Sequence, residues 1–359
     1  MKRIITLLIL LTSHFIFSQN LSSQLSGEWI VYKTEMKDGS TLYERTNSRN
    51  TYLRFAFGDN NSLFLFNKPT KMSGLKNTYT VDNNIIRLTN KNIHTADGFD
   101  IDDNSYIIEK ITKDSLVIVE NFSAPDDKLK RYYCINQHKI NNDAIKENAD
   151  KNIFIANQYC LPKIKPGKYN FTPIAVNFEF SGYMIFDIVN KQITLEVLKY
   201  DEGTPDNKKI QKFIKNIENT YDDWYTSVFS KFKKVKLPFY FRNVYGKPIG
   251  DGDFKLNKFE YSFGINTMPY PDQEQIDKSR KSNEFYKKGL LAYKDSDYDN
   301  AIEYFTKAYQ YDNYNIEALY SRAAIYYYTN KKEEACMDWK TLSDLDQKRG
   351  IDSYNQYCL

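Results

Sequence analysis

Four cysteines and three histidines are the residues of this 359-residue chain best suited to metal or nucleophile chemistry. Zinc needs ligands grouped at short spacing, and Cys134, Cys160, Cys336 and Cys358 contain no C-x-x-C pair. Beyond the N-terminal leader only His94 and His138 remain, so a histidine-based triad has little material. No serine-centred elbow is present. The densest carboxylate run is Asp97, Asp100, Asp102 and Asp103. It has calcium-type donors but no Gly at the sixth or Glu at the twelfth position, so it reads as a solvated hairpin loop. Gly250-Asp251-Gly252-Asp253 lacks a third glycine and a following helix, which fits a tight turn better than a phosphate loop. Lysines 231, 233, 234 and 236 flank Phe232; they make a small nucleic-acid patch at most, and a solvated helix end explains them more simply. These residues predict no enzyme, no cofactor and no metal site.

An even cysteine count in an exported chain reads as two disulfides. Local pairing favours Cys134–Cys160 and Cys336–Cys358, with four buried free thiols as the alternative. The second pair has a geometric basis. Cys336 lies well before the end of one expected helix and Cys358 well after the start of the next. At about 1.5 Å rise per residue, the two reach similar heights on an antiparallel hairpin.

Export is expected from the first 18 residues. Lys2 and Arg3 precede an apolar stretch at 4–11, and Ser18 precedes a plausible cut before Gln19. The stretch is too short to span a bilayer, and no cysteine follows it to carry a lipid. An uncleaved anchor or a buried N-terminal helix is the alternative. Cleavage would take the 50 basic residues to 48 against 46 acidic ones, too small an excess for general nucleic-acid binding. No later segment has the apolar length of a transmembrane helix, so the mature chain is expected in the periplasm or outside the cell.

These residues have to be positioned by more than one domain at this length. A hydrophobic share of 41% and a charged share of 27% fit folded domains, and 16% aromatic residues can fill several small cores. The fold class expected is multidomain: an N-terminal antiparallel β-barrel or sandwich, a central α+β domain, and C-terminal α-helical hairpins.

Residues 24–137 hold eight candidate strands, at 28–35, 51–57, 62–67, 77–81, 84–88, 105–110, 115–120 and 130–135. Tyr52, Arg54 and Ala56 alternate with Leu53, Phe55 and Phe57. Gly58-Asp59-Asn60-Asn61 and Asp82-Asn83-Asn84 are turn signals. With Gly27-x-Trp29 opening the first strand and Tyr79-x-Val81-x-x-Asn84-x-Ile86 later, the region resembles the lipocalin-like domains of exported bacterial proteins. The resemblance implies a barrel whose closed end Trp29 plugs, with an interior either filled or open to a small apolar ligand.

Residues 138–168 read as a linker with a short polar helix at 140–152. In 169–265, β runs at 174–189 and 192–198 precede a long helix at 206–232. Its stripe is Ile210, Phe213, Ile214, Ile217, Tyr221, Trp224 and Val228. A strand at 235–242 follows, and Pro238 points to an edge position. Gly182-Tyr183-Met184-Ile185-Phe186 and Leu237-Pro238-Phe239-Tyr240-Phe241 make this region resemble the TonB C-terminal domain. Without that family's anchor and Pro-rich spacer, the resemblance implies docking, not energy coupling. Residues 266–280 read as a linker.

Residues 281–359 carry a 34-residue period. Phe285, Gly289, Ala301, Phe305 and Ala308 recur as Leu319, Ala323, Ala335, Trp339 and Leu342. Small residues at 289/323 and 301/335 allow close helix approach, and bulky residues at 305/339 fill the groove between. These positions resemble two tetratricopeptide repeats, followed by a capping helix at 351–359. Asn313, Leu342, Lys288 and Arg322 depart from that pattern. The resemblance implies binding of a protein or peptide partner in the groove of the repeats. The function expected is therefore a non-catalytic interaction protein of the cell envelope, and the alternative is a small apolar ligand held in the barrel.

Overall fold

A computed structural model describes residues 21–43, 52–66, 75–89, 105–165, 168, 174–248, 255–264 and 273–359. The leader, His94, the 97–104 carboxylate run and the 250–253 turn lie outside the described residues.

Eight antiparallel strands close into a barrel in chain order: β1 (Gly27–Met36), β2 (Arg54–Gly58), β3 (Ser62–Phe66), β4 (Leu75–Asp82), β5 (Ile85–Leu88), β6 (Ser105–Ile111), β7 (Ser115–Asn121) and β8 (Lys130–Asn136). All eight expected strands form, with ends displaced by a few residues. Asn60, Asn61 and Asn83 take left-handed backbone at the expected turns, a conformation asparagine tolerates better than most residues. Trp29 is buried, and its Nε1 donates to the Leu25 carbonyl at 2.8 Å.

The central region is built on a sheet in the order β12 (Gln192–Glu202), β11 (Phe178–Asp187), β14 (Lys234–Pro248), β15 (Lys255–Phe263). α1 (Gln137–Glu147) starts three residues earlier than expected, capped by Asn136, whose side chain accepts from the His138 N–H. The expected linker contributes two strands. β9 (Ile153–Ile155) pairs in parallel with β14, and β10 (Lys163–Ile164) pairs with β13 (Trp224–Tyr225). Phe154 explains the first, since it is buried against Phe229 and Phe232.

The 206–232 helix is a correction. α2 covers only Lys208–Glu218, burying Ile210, Phe213, Ile214 and Ile217 against the sheet. Asn219 caps it, and the Thr220 hydroxyl donates back to the Ile217 carbonyl at 2.6 Å. Trp224 then leaves the helical path for β13, its Nε1 donating to Thr220 Oγ1 at 3.1 Å. Val228, the last residue of the expected stripe, is exposed. The 231–236 lysines consequently flank the start of β14 and not a helix end.

Pro238 is a second correction, because β14 is interior and pairs with β11 on one side and β15 on the other. The proline fits because of a seam in the second partner. β9 pairs with β14 only as far as Lys236, and the pairing of β14 with β15 begins at Phe239. The Pro238 carbonyl accepts from the Gly264 N–H at 2.9 Å, on the side of that seam. Its missing N–H therefore falls where no ladder bond is required.

The C-terminal helices are α3 (Gln273–Lys294), α4 (Tyr298–Tyr311), α5 (Ile316–Tyr328), α6 (Lys332–Asp344) and α7 (Lys348–Tyr357). The end of the expected 266–280 linker is already helical from Gln273. By its contacts the chain divides into two compact units. One comprises 1–32, 49–117 and 133–269; the other comprises 33–48, 118–132 and 270–359.

Candidate functional site

The residues expected to build the helical repeats come together in two adjoining clusters. Ala301, Phe305 and Ala308 pack with Ala318 and Ile325, with Phe285 at the edge. Leu319, Ala323, Ala335, Trp339 and Leu342 form the other. Gly289 is buried between α3 and α4, and a Cβ there would lie 2.6 Å from the Phe305 ring. The departures from the pattern have local reasons. Arg322 forks onto Asp338, with Nε donating at 2.8 Å and Nη2 at 2.6 Å, and Nη1 donates to Thr306 Oγ1 at 2.8 Å. Leu342 can be large because the next helix offers Gly350, where a Cβ would lie 2.4 Å from that of Leu342. Lys288 is exposed.

Cys336 and Cys358 form a disulfide joining α6 to the end of α7, as expected. The pairing of Cys134 with Cys160 is corrected: both are buried free thiols. Cys134 lies on the buried face of β8 and Cys160 in the central hydrophobic cluster, so each is satisfied as a small apolar group. Burial pushes the Cys134 thiol well above its ordinary pKa and Cys160 up to about 12. Neither is poised as a nucleophile.

The helices meet barrel segments within their own compact unit. Tyr314 stacks on Tyr43 with centroids 4.9 Å apart. The Lys348 N–H donates to Ser40 Oγ at 2.8 Å, and Gln347 Nε2 donates to the Thr41 carbonyl at 2.9 Å. Arg349 lies 2.9 Å from Asp127 while its guanidinium covers the Tyr320 ring. Leu290, Leu291 and Tyr293 on α3 are exposed, as are Tyr327 and Tyr328 on α5. Tyr298 bridges Tyr293 and Tyr328, with centroids 6.1 and 5.4 Å away. The tyrosine run at 326–328 thus turns two rings outward, one more than the helical period alone requires.

Among the described residues of the barrel's inward face, Leu63 and Ile86 have no exposed surface, and Trp29, Phe55 and Phe57 almost none. The outward face of β2 is covered as well: Arg54 and its register partner Ile30 are fully buried. Arg54 Nη1 donates to Glu28 Oε2 at 3.3 Å and its guanidinium lies 4.0 Å from the centre of the Phe66 ring. Lys163 on β10 contacts the same Glu28 oxygen. Burial and the neighbouring Arg54 cation bring the Lys163 amine down from 10.5 to about 8, against the opposing pull of Glu28.

Glu28 and Lys163 line an open cleft of about 790 Å³. Its walls come from the start of β1, the β6–β7 turn, the first turns of α1, and residues 225–229. Sequence reading missed this site, because its members lie on separate elements and only the pairing of β10 with β13 brings Lys163 to the cleft wall. Among the described residues, no group of three or more His, Cys, Asp or Glu side chains is arranged to hold a metal ion, and no helix is long and apolar enough to cross a membrane. No protein-family model matches the sequence, and a search of curated proteins finds no match.

Proposed function

We propose that this is an exported, non-catalytic interaction protein of the bacterial cell envelope, which binds a protein or peptide partner through its C-terminal helices. The observation that carries the reading is the exposed aliphatic and aromatic surface on α3 and α5, centred on Leu290, Leu291, Tyr293 and Tyr328. Tyr293, Tyr298 and Tyr328 lie ring to ring within it, and joined apolar surface marks interaction sites in soluble domains. The resemblance of the repeats to tetratricopeptide hairpins supports it, because that architecture exists to present such faces. The Cys336–Cys358 disulfide supports an oxidising compartment. The barrel reading, with a small apolar ligand inside a lipocalin-like fold, gains no support from the described inward side chains, which are almost fully buried. The central sheet, in its resemblance to the TonB C-terminal domain, is a second surface available for docking.

The test uses the intact chain and a Leu291→Asp/Tyr328→Asp variant as baits for envelope extract. Both positions are exposed, so the fold should survive. A partner retained by the first and lost by the second supports the reading. Identical capture by both baits would overturn it.

A further inference from the structure

The cleft at the end of the barrel holds an amine that interaction through the helices does not use. Lys163 on β10 lines it, with a side chain only 16% exposed. Two features of its surroundings are those that activate a lysine as a nucleophile. The side chain is largely taken out of water, and the Arg54 guanidinium stands close enough to oppose its charge. Either feature favours the free amine, which carries the reactive lone pair. The depressed basicity of Lys163 is their joint result.

A proton carrier is in contact with this amine. Glu28 Oε2 meets Lys163 Nζ, and Glu28 is itself part of the cleft wall, 24% exposed. A carboxylate within hydrogen-bond reach can take a proton from the amine and hand it back later. Arg54 Nη1 donates to the same oxygen at 3.3 Å and so helps to fix the carboxylate where it stands. Cys160, which also feels Lys163, is held as the thiol by burial and does not compete as a nucleophile.

The neighbouring wall describes the rest of a ligand. Tyr225 is the register partner of Lys163 in the pairing of β10 with β13, and directly opposed residues of an antiparallel pair share a face. Tyr225 and Val228 are exposed, and with Leu161 and Phe229 they give the cleft an apolar side. A cleft of this size, with an apolar wall and a few polar groups, has the general form of a small-molecule site.

We infer that the cleft captures a small aldehyde with an apolar body, which forms a reversible imine with Lys163 Nζ while its body lies against Tyr225 and Val228. The ammonium first gives a proton to Glu28. The nitrogen lone pair then attacks the carbonyl carbon, and the carbonyl oxygen takes the proton back from Glu28 to become a hydroxyl. A second proton passes from nitrogen to Glu28 and on to that hydroxyl, which leaves as water as the carbon–nitrogen double bond forms. Aldehyde and ammonium thus become protonated imine and water, with no oxidant or reductant. An aldehyde is favoured over an acyl donor because the protonated imine keeps the positive charge that Glu28 pairs, whereas an amide would erase it.

The experiment treats the intact protein at pH 7 with benzaldehyde and sodium cyanoborohydride, which reduces an imine to a stable secondary amine. Peptide mass mapping follows the reaction, with exposed Lys332 as internal reference. Lys163 should be labelled severalfold faster than Lys332, and equal or slower labelling would overturn the assignment. Glycolaldehyde, which lacks an apolar body, is the second probe. The ratio of benzaldehyde to glycolaldehyde labelling should be severalfold higher at Lys163 than at Lys332; equal ratios count against the apolar wall. Without reductant, dilution should restore the unmodified mass, and a persisting adduct would contradict a reversible imine. A Val228→Ser variant should lower benzaldehyde labelling of Lys163 severalfold and leave glycolaldehyde labelling unchanged. Unchanged benzaldehyde labelling counts against the proposal. If that variant does not fold, the wild-type ratios decide alone.

Discussion

Arg322 shows at the residue scale how a departure from a repeat pattern is compensated. It stands where the repeats it resembles carry an apolar side chain, and its charge is matched by a bidentate bond to the buried Asp338. Breaking such a pair by removing one partner leaves a buried charge alone and costs about 3–5 kcal/mol. Arg322→Met should therefore destabilise strongly in urea titration, while Arg322→Met/Asp338→Leu should recover most of the loss. A double variant no better than the single one would show that the pair is not what Arg322 contributes. Lys163 makes a prediction about pH. Its folded pKa of about 8 lies below the ordinary lysine value of about 10.4, so between these the unfolded chain binds more protons. The stability difference between wild type and Lys163→Met should shift in favour of wild type as pH rises through that window, and be flat below pH 8. Urea midpoints of both proteins at several pH values check this.

At the scale of elements, α7 is attached by chemistry and by shape. The Cys336–Cys358 bridge spans a sequence separation of 22 residues, and loop entropy assigns it about 3 kcal/mol. Reductant should lower the melting temperature of wild type and leave Cys336→Ser/Cys358→Ser unchanged. Thiol titration gives a companion result: buried Cys134 and Cys160 should react only after denaturation, and the other two only after reduction as well. Four reactive thiols in denatured but unreduced protein would contradict the bridge. Shape enters through Gly350, where any Cβ meets Leu342. Gly350→Ala should cost about 1–3 kcal/mol through overpacking, measured by denaturant melts. Leu342→Ala in the same chain should partly relieve it.

At the scale of the whole molecule, five C-terminal helices that resemble two repeats and a cap are fewer than repeat arrays normally need to bury their faces. Segments 33–48 and 118–132 belong to the same compact unit as the helices, and they supply partners through Tyr43, Ser40, Thr41 and Asp127. Residues 280–359 expressed alone, with the disulfide formed, should therefore melt well below the intact protein. A cooperative melt at the same temperature would show that those contacts contribute little. This cover was not legible in the sequence, because nothing local marks Ser40 or Asp127 as a helix-docking residue.

What could be read from residue order was what short-range physics controls. Short β runs, several of them alternating and two bounded by asparagine turns, marked the eight barrel strands, since strand faces follow a period of two. The 34-residue period marked the repeat positions, since helix approach demands small residues at fixed heights, and local spacing identified Cys336–Cys358. Tertiary structure alone decided where long-range pairing competes with local preference. β13 drew Trp224 off a helix its spacing would have continued, and the seam between β9 and β15 admitted Pro238 to an interior strand. The separate buried surroundings of Cys134 and Cys160 left both reduced. The Arg54–Glu28–Lys163 cluster is the extreme case, because its members are far apart in the chain. Only the folded chain, by excluding water around them, makes their charges act on one another.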